Sequence, residues 1–263
     1  MIHVVFAALS EPSRLNGHRG LILIPLGLSL ESFGLLFQNP FIVSGFLNSL
    51  FLVVVGVSIN ILMTTVAAYV LSKRRARLVP LFTVFILFTM LFSGGLIPLY
   101  LTIRGVGLYN SLIGVIMPFA ISTFNLLILR TAFEGVPDSL DESARMDGAG
   151  HLTILFRITM PLVMPMIAVL ILYYAVDRWN SWFFASILLK DRESYPIQLV
   201  LREILLVNDT GAMASGSDNA DMQMLSESIK YAAIVIGTVP ILMLYPLLQP
   251  YFVKGAMIGA VKE

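Results

Sequence analysis

The sequence predicts an all-α integral membrane protein, and its composition and hydropathy carry that prediction. Of 263 residues, 57% are hydrophobic and 13% are charged, and the mean hydropathy is +0.87. Soluble globular domains have about 25% charged residues, so half that fraction indicates a chain whose solvent is largely lipid. Helices suit such a solvent because they satisfy their backbone hydrogen bonds within the segment.

Five stretches meet the requirement of roughly 20 mainly apolar residues for a transmembrane helix. Glycines and prolines interrupt some of them, which is tolerated where neighbouring helices or a water-lined cavity satisfy the freed backbone groups. The main interruptions are Gly94, Gly95 and Pro98 in the second stretch, Pro118 in the third, and Pro240 and Pro246 in the last. The predicted spans are Phe41–Leu71, Leu78–Ile103, Ser111–Phe133, Pro161–Leu189 and Ile229–Phe252.

Residues 1–40 are predicted to hold the end of a truncated first transmembrane helix and an external loop. The chain begins MIHVVFAAL, which is apolar but too short to cross a bilayer. No basic residues precede it, so it does not have the form of a signal peptide. Residues 41–263 are then the main transmembrane domain, with a polar loop at 137–160.

The residue inventory excludes several chemistries. The chain has no Cys, which excludes disulfides, thiolate metal sites and cysteine nucleophiles. His3, His18 and His151 are too far apart for metal-ligand spacing. No G-x-x-x-x-G-K-[ST] loop is present to bind a nucleotide, and no group of residues suggests an enzyme. No basic run with interleaved aromatics indicates nucleic acid. We therefore expect no catalytic residue, metal or cofactor in this chain.

The orientation follows from a basic cluster in a short loop. Positive residues favour the cytoplasmic side of a membrane, so the loop between the first two spans is predicted to be cytoplasmic. Alternation then puts the 137–160 loop and the carboxyl terminus in the cytoplasm, and 190–227 outside. The outer segment is either a plain connector or a contact surface for an external binding protein. The cluster consists of Lys73, Arg74, Arg75 and Arg77.

The most informative motif is a polar island, residues 142–161, which reads ESARMDGAGHLTILFRITMP. Its start, from Glu142 to Ala144, is compatible with a helix, and Gly148 can end that helix because glycine adopts positive φ without strain. Ile158 and Pro161 then lead into the next apolar stretch. A polar element gains nothing inside a bilayer, so we expect it to contact a soluble partner.

The spacing Glu-x-Ala, three residues, Gly, nine residues, Ile-x-x-Pro resembles the EAA loop of ABC importer permeases. The chain departs from the usual motif only at Ser143 and Met160, where alanine and leucine are common. The tail YFVKGAMIGAVKE is similar to the carbohydrate-uptake (MalG-like) branch. The segments FSGGLIP, FNLLILRTAF and YPIQLVLREILL are closer still to the LplC/YtcP-like subgroup. The matching motif positions are Glu142, Ala144, Gly148, Ile158 and Pro161.

The resemblance implies the type I ABC importer transmembrane-domain fold, with a coupling helix that docks on a cytoplasmic ATPase. Members usually have six helices, of which five full spans and the remnant of the first are visible here. The implied ATPase-coupling residues are Asp141, Glu142, Ala144, Arg145, Asp147, Gly148, Ile158 and Pro161. Among them, Asp141, Glu142 and Asp147 are expected to be exposed carboxylates for basic residues of the ATPase.

The resemblance also implies the partners and the cargo. We expect a bacterial cell-membrane complex with a second, homologous permease subunit as a heterodimer, or a homodimer as the alternative. Two ATP-binding subunits would hold ATP and Mg, and an extracellular or periplasmic binding protein would deliver the substrate. The branch implies an oligosaccharide, and the subgroup implies plant or algal polysaccharide fragments, including uronate-bearing ones.

A second polar group lies within a predicted span, and two interpretations remain open. Charged residues at membrane depth often mark a pathway. Two tryptophans at i, i+3 would share one helical face and could stack on a sugar, while the arginine would suit a carboxylate. The alternative is an interfacial tryptophan belt with a snorkelling arginine. The substrate-pathway candidates are Asp177, Arg178, Trp179, Asn180 and Trp182.

Two other classes of function are weighed against the importer. An ion-coupled secondary transporter or channel would need buried ionisable residues in several spans, and only Asp177 and Arg178 fit that description. A membrane enzyme or assembly scaffold would need a reactive constellation or no transport at all. The importer is the reading that explains the spacing of the EAA-like motif.

Overall fold

The structure, a computed structural model, describes residues 2–15, 20–73, 78–214 and 228–244, together with residues 246 and 249. Across these ranges the regular elements are helices, which confirms the predicted all-α class. Helices α1 to α9 are Ile2–Ala8, Pro12–Leu15, Glu31–Phe37, Pro40–Ser72, Val79–Leu91, Leu96–Gly105, Leu112–Ile116, Thr123–Glu134 and Asp138–Met146. Helices α10 to α15 are His151–Thr153, Met160–Leu162, Met164–Trp179, Trp182–Leu188, Ile197–Ala214 and Ser228–Leu244. Two 3₁₀ turns, Met117–Phe119 and Arg192–Ser194, and one π-helix, Ile154–Thr159, complete this series.

The chain forms two compact units. The first unit comprises Met1–Phe51 and Trp179–Met243, and the second comprises Leu52–Arg178 and Leu244–Glu263. The long helix α4 contributes its first turns to one unit and its remaining turns to the other.

Within the described residues, α4 is long and apolar enough by itself to cross a membrane. Three helix pairs meet the same test only together, because each is bent at a short break. The bends are 115° between α5 and α6, 53° between Leu112–Phe119 and α8, and 86° between His151–Leu162 and α12. Counting each pair as one span gives up to four spans in the described part of the chain.

The predicted spans are confirmed in part. Helix α4 matches the first, and the second and third are broken at Gly95 and near Pro118, where the sequence predicts interruptions. The fourth differs from the prediction. The fourth, Pro161–Leu189, belongs to a helical segment that starts at His151 and ends at Trp179, and a separate helix follows from Trp182. Helix α15 covers the first part of the fifth span, and the rest of that span lies largely outside the described residues.

Backbone chemistry explains each break. Between α5 and α6, Phe92 is extended and Gly95 takes a φ of +86°, a conformation that favours glycine. Pro118 lies in the 3₁₀ turn before α8. Pro161 and Pro165 flank the 86° bend, and each lacks the N–H that an α-helix would donate to the carbonyl four residues earlier.

The core of the second unit joins the polar loop to the spanning helices. Ala144 of α9 packs into a buried cluster with residues of α4, α8, the π-helix and α12. Burial of this apolar surface stabilises the loop on the bundle at about 25 cal/mol per Å². Members of the cluster include Ala68, Leu71, Leu126, Leu129, Phe133, Ile154, Leu155, Ile167 and Leu170.

In the first unit, the start of α4 holds the start of α14. The Asn48 amide donates to the carbonyl oxygens of Glu193 and Tyr195 at 2.6 and 3.1 Å. The Ser49 hydroxyl accepts a hydrogen bond from the backbone N–H of Ile197 at 2.8 Å. These bonds satisfy backbone groups at the helix entrance that have no partner within α14.

Candidate functional site

The polar loop is built around α9, which begins directly after Pro137. Asp138 and Asp141 lie in its first turn and Arg145 in its last, so the charges complement the helix dipole at both ends. Its composition is strongly amphipathic, with Ala144 buried and the neighbouring positions exposed. The helix therefore has one face packed on the bundle and one exposed face.

Gly148 closes α9 as the sequence predicts. Its φ is +81°, and its N–H donates to the Arg145 carbonyl at 2.9 Å. The N–H of Ala149 donates to the Ala144 carbonyl, also at 2.9 Å. This pair of bonds is the Schellman motif, which satisfies the last carbonyls of a helix and turns the chain. A side chain at position 148 would meet no neighbouring atom within 4 Å, so the constraint is conformational and not steric.

The Asp141 carboxylate connects α9 to the end of α4. Its Oδ1 lies 3.1 Å from the Lys73 Nζ and accepts from the Tyr69 hydroxyl at 3.3 Å. Its Oδ2 pairs with Arg145 at 2.8 Å, four residues along the same helix. The Lys73 ammonium also lies 4.5 Å from the centre of the Tyr69 ring, and that ring meets Phe133 edge-on. We call Asp141, Tyr69, Lys73 and Arg145 the anchor cluster.

Burial and the partners of Asp141 shift its pKa in opposite directions. Burial alone would raise the pKa of this carboxyl. The hydrogen bond and charge of Lys73, with the charge of Arg145 and the Tyr69 hydroxyl, outweigh burial and hold the pKa below its ordinary value. Asp141 is therefore ionised at neutral pH, as the anchor cluster requires.

The other loop candidates divide into outward and inward positions. Glu142, Arg145, Asp147 and Gly148 are exposed, and Met146 beside them is 88% exposed. The expectation that Asp141 is a third exposed carboxylate is wrong. Its side chain retains 16% of its exposure because it turns toward Lys73 and Arg145.

A cleft of about 520 Å³ runs beside α9. Its walls come from the ends of α4 and α8, the connecting residues and α9 itself, and they carry charges of both signs. The lining residues include Lys73, Glu134, Asp138, Leu140, Asp141, Glu142, Arg145 and His151. A cleft of this size can accept a side chain or a short loop of a partner.

The segment after α9 turns the chain toward the next span. The π-helix Ile154–Thr159 buries Ile154 and Leu155, while Ile158 is half-buried against the same core. Pro161 is exposed and precedes the 86° bend into α12. The connection from α9 to α12 is therefore short, packed and bent.

The candidate Arg178 lies in a second polar cluster within the second unit, and it is 1% exposed. Its guanidinium donates to Asn60 Oδ1 at 3.0 Å and to the Phe119 carbonyl at 2.6 Å. Longer bonds of 3.3 Å reach the carbonyls of Val115 and Ile116. Arg178 thus caps the broken span at Pro118, and Asn60 donates to the carbonyls of Phe119 and Ala120 at 2.7 Å, the interhelical bonds that suit a membrane asparagine.

A backbone N–H group on the other side of the same break, that of Ser122, also has a side-chain partner. The Tyr174 hydroxyl accepts from the Ser122 N–H at 3.1 Å and shares a hydrogen bond of 2.7 Å with the Thr64 hydroxyl. Asp177, next to the buried arginine in sequence, is exposed. We call Arg178, Asn60 and Tyr174 the break cluster.

The remaining candidates belong to the first unit. Trp179 is 4% exposed, donates to the Gly237 carbonyl at 2.8 Å and meets Phe46 edge-on. Trp182 is half-buried and Asn180 is exposed. The expectation that the two tryptophans share one helical face is wrong, because α12 ends at Trp179 and α13 begins at Trp182.

Sequence reasoning missed Tyr69 and Lys73 of the anchor cluster, Tyr174 of the break cluster and, in the first unit, the contact between Arg202 and Trp182. In the sequence, Tyr69 lies near the end of an apolar stretch and Lys73 belongs to a run of basic residues. Arg202 is one charge in a predicted outer loop, and its guanidinium carbon lies 3.8 Å from the centre of the Trp182 ring. Each meets its partner far along the chain, so a local pattern could not identify it.

Comparisons with known proteins match most of this chain. The family described as "Binding-protein-dependent transport system inner membrane component" matches residues 74–257. In Bacillus subtilis (strain 168), the polygalacturonan/rhamnogalacturonan transport system permease protein YtcP is 38% identical, covering 99% of this chain and 91% of its own length. The protein LplC of the same organism is 37% identical, covering 93% and 82%.

A solved structure has the same fold. It is a crystal structure of a bacterial ABC transporter involved in the import of the acidic polysaccharide alginate. The two chains are 30% identical with a TM-score of 0.85, over 95% of this chain and 89% of that one.

Proposed function

The chain belongs to the binding-protein-dependent transport system inner membrane component family, and we propose that it takes up acidic oligosaccharides as the permease subunit of an ATP-driven importer. The family assignment decides against the ion-coupled transporter or channel that Asp177 and Arg178 left open. It also makes the chain a transport permease subunit.

The proposal of an acidic substrate rests on the chemistry shared by the substrates of two similar proteins. YtcP is named for polygalacturonan and rhamnogalacturonan, and polygalacturonan is a polymer of galacturonate. The importer of known structure handles alginate, an acidic polysaccharide. The common element is a sugar ring that bears a carboxylate, so the proposed substrate is a uronate-containing oligosaccharide.

The proposed coupling runs through α9. Two ATP-binding subunits, which hold ATP and Mg, would receive α9 in a groove on the cytoplasmic side. The exposed Glu142, Arg145 and Asp147 would meet the ATPase surface, while the buried Ala144 and half-buried Ile158 hold the loop on the permease. Closure of the ATPases would move α9 and, through Pro161 and the bend, α12.

The proposed assembly has four kinds of protein subunit. A second, homologous permease forms a heterodimer with this chain, two ATPases bind from the cytoplasm, and a solute-binding protein delivers the cargo outside. The carboxyl terminus is cytoplasmic in this arrangement, and α13 and the start of α14 lie toward the outer side. The pathway candidates remain a proposal for each unit by itself: Asp177 is exposed and Arg178 is buried in the second unit, while Asn180 is exposed, Trp182 half-buried and Trp179 buried in the first.

The experiment that tests the proposal is ATP hydrolysis by the reconstituted transporter. The complete complex in proteoliposomes is given its binding protein loaded with trigalacturonate, and hydrolysis is compared between wild type, Glu142→Ala and Gly148→Pro. Glu31→Ala, which removes an exposed carboxylate of α3, is the matched control. We expect stimulated hydrolysis to fall at least tenfold in the two loop variants, with insertion unchanged, and to stay at the wild-type level in the control.

Two results would count against the proposal. Stimulated hydrolysis in both loop variants at the wild-type rate would show that α9 does not couple to the ATPases. Stimulation by maltotriose equal to that by trigalacturonate would remove the acidic cargo while leaving the importer assignment in place.

A further inference from the structure

The first unit carries an arginine and a tryptophan in direct contact at its surface. The guanidinium carbon of Arg202 lies 3.8 Å from the centre of the Trp182 ring, the distance of a cation–π contact. Arg202 is exposed and Trp182 is half-buried. The ring attracts the cation through its π face without accepting the hydrogen bonds of the guanidinium, so the planar fork of N–H donors is available to a ligand.

A second arginine of the same region provides a comparison. Arg192 also lies over an aromatic ring, 5.5 Å from the centre of Phe41, but it makes an ion pair of 2.7 Å with Glu203. In the described ranges of the chain, no carboxylate pairs with Arg202 in this way. Glu203 is its neighbour in sequence and is taken by Arg192. The charge of Arg202 is therefore not neutralised by the described residues.

The helix turn that bears Arg202 is held in place. Gln198, four residues earlier on α14, donates to the Gly237 carbonyl at 3.1 Å, and Trp179 donates to the same oxygen at 2.8 Å. Leu201 is buried, and its side chain would lie 3.3 Å from a Cβ at Gly237. A charged group on a fixed turn loses less conformational freedom on binding than one on a mobile loop.

We propose that Arg202 and Trp182 form a recognition subsite for a carboxylate-bearing sugar ring, an inference that rests on the proposed importer function. The guanidinium donates a bidentate pair of hydrogen bonds to the carboxylate, which is the geometry that arginine matches best. The exposed part of the indole ring packs on the C–H face of the pyranose. The ligand class is therefore an oligouronate, and its neutral ester would lose the guanidinium contact.

The aromatic surroundings favour a sugar over an acidic side chain of the binding protein. Phe183, which is 45% exposed, meets Trp182 edge-on with ring centres 5.6 Å apart. Two adjoining aromatic rings beside the cation offer an apolar wall to a ring-shaped ligand. A protein carboxylate would pair with the arginine without needing that wall.

The test uses the purified complete transporter and a matched pair of ligands, trigalacturonate and its methyl ester. Equilibrium binding is measured by calorimetry for wild type, Arg202→Gln and Trp182→Leu, with Arg192→Gln as the control that removes the neutralised arginine. We expect Arg202→Gln to bind the acid about tenfold more weakly, the loss of a charge-assisted pair, and to bind the ester as wild type does. Trp182→Leu should weaken both ligands, and Arg192→Gln neither.

Stimulated ATP hydrolysis in the same preparations separates the two levels of the inference. If hydrolysis is normal and depends on Glu142, but Arg202→Gln weakens both ligands equally or neither, the subsite is refuted and the importer stands. If Arg202→Gln weakens only the binding of the solute-binding protein, the arginine faces a protein carboxylate and the subsite is likewise refuted. If no substrate-loaded binding protein stimulates hydrolysis in wild type, the importer function fails and the subsite falls with it.

Discussion

The anchor cluster around Asp141 and the break cluster around Arg178 belong to the same unit but satisfy charge in opposite ways. Asp141 is paired with two cations and a hydroxyl at the edge of a cleft. Arg178 is buried at 1% exposure and is held by backbone carbonyls and the amide oxygen of Asn60. The first cluster consists of long side chains that can exchange partners, whereas the second depends on the dipoles of a fixed backbone.

This difference predicts that the anchor cluster can rearrange and that the break cluster stays fixed. Ion pairs near the surface contribute little net stability because water competes for both charges, so their partners can change at small cost. A buried guanidinium has no such alternative, and losing its acceptors would leave several polar groups without partners. We therefore expect the contact between α9 and α4 to change its partners more easily than the buried bonds at the break of the third span.

Replacing Arg178 should have the largest effect on stability. Arg178→Met keeps the bulk of the side chain but leaves the amide oxygen of Asn60 without the guanidinium donor, at about 1–3 kcal/mol for a buried group. The carbonyls of Val115 and Ile116 also lose their bonds to the guanidinium, whereas that of Phe119 keeps its bond from the Asn60 amide. We expect the thermal midpoint in detergent to fall by roughly 10 °C. Arg104→Met, which alters an exposed arginine of α6, is the control. A midpoint equal to that of wild type would mean that the guanidinium does not hold the break.

Crowding the same arginine should have a smaller effect. A Cβ at Gly56 would lie 3.3 Å from Arg178 Cδ and 3.4 Å from its Nε. Gly56→Val should therefore cost about 1–3 kcal/mol through overpacking, measured as a shift of the thermal midpoint. Gly34→Val in α3 serves as the control, since a Cβ there meets nothing within 4 Å. Equal shifts in the two variants would assign the effect to helix propensity alone.

The anchor pair should contribute less to stability than to coupling. A double-mutant cycle with Asp141→Asn and Lys73→Met should give a coupling energy of about 1 kcal/mol in thermal unfolding. Stimulated ATP hydrolysis should fall several-fold in each single variant, because α9 loses its link to α4. Glu31→Gln, which neutralises an exposed carboxylate of α3 outside the coupling loop, controls for charge. If each single variant kept the coupled hydrolysis of wild type, the anchor cluster would have no role in coupling.

The smallest expected effect is a pH dependence. The pKa of Asp141 is lowered from 3.8 in the folded state, so its stabilising contribution is complete well above pH 3.8 and is lost as pH falls through the lower folded pKa. The difference in thermal midpoint between wild type and Asp141→Asn should be constant from pH 6 to about pH 8 and should disappear in strong acid. A difference that grows as the pH falls would have the wrong sign for a paired carboxylate.

Local chemistry made part of this structure predictable. Gly148 closes α9 because its place after a short amphipathic run favours positive φ, and the glycine at 95 and the proline at 118 mark real breaks. The bend angles were not predictable, because a glycine or proline permits a break without fixing its direction. The continuity assigned to the fourth span failed for the same reason at Pro161 and Pro165.

The sequence does not predict which residues far apart in the chain contact each other. Tyr69 and Asp141 are separated by 72 positions, and Arg178 and Asn60 by 118. Backbone carbonyls such as that of Phe119 have no signature in the sequence, so the acceptors of the buried Arg178 could not be predicted. The motif could identify the coupling loop but could not show which of its carboxylates turns inward.

The length of α4 has a consequence for the lipid around the protein. Its 33 residues extend for about 50 Å at 1.5 Å per residue, whereas the hydrocarbon core of a bilayer is about 30 Å thick. A helix that exceeds the core tilts or projects, by an amount that the membrane thickness sets. Its final turn carries Tyr69, which donates to Asp141 of α9, the helix that we propose docks on the ATPase. Under that proposal membrane thickness is an input to the transport cycle, and thinner or thicker bilayers should tune how tightly hydrolysis is coupled to uptake.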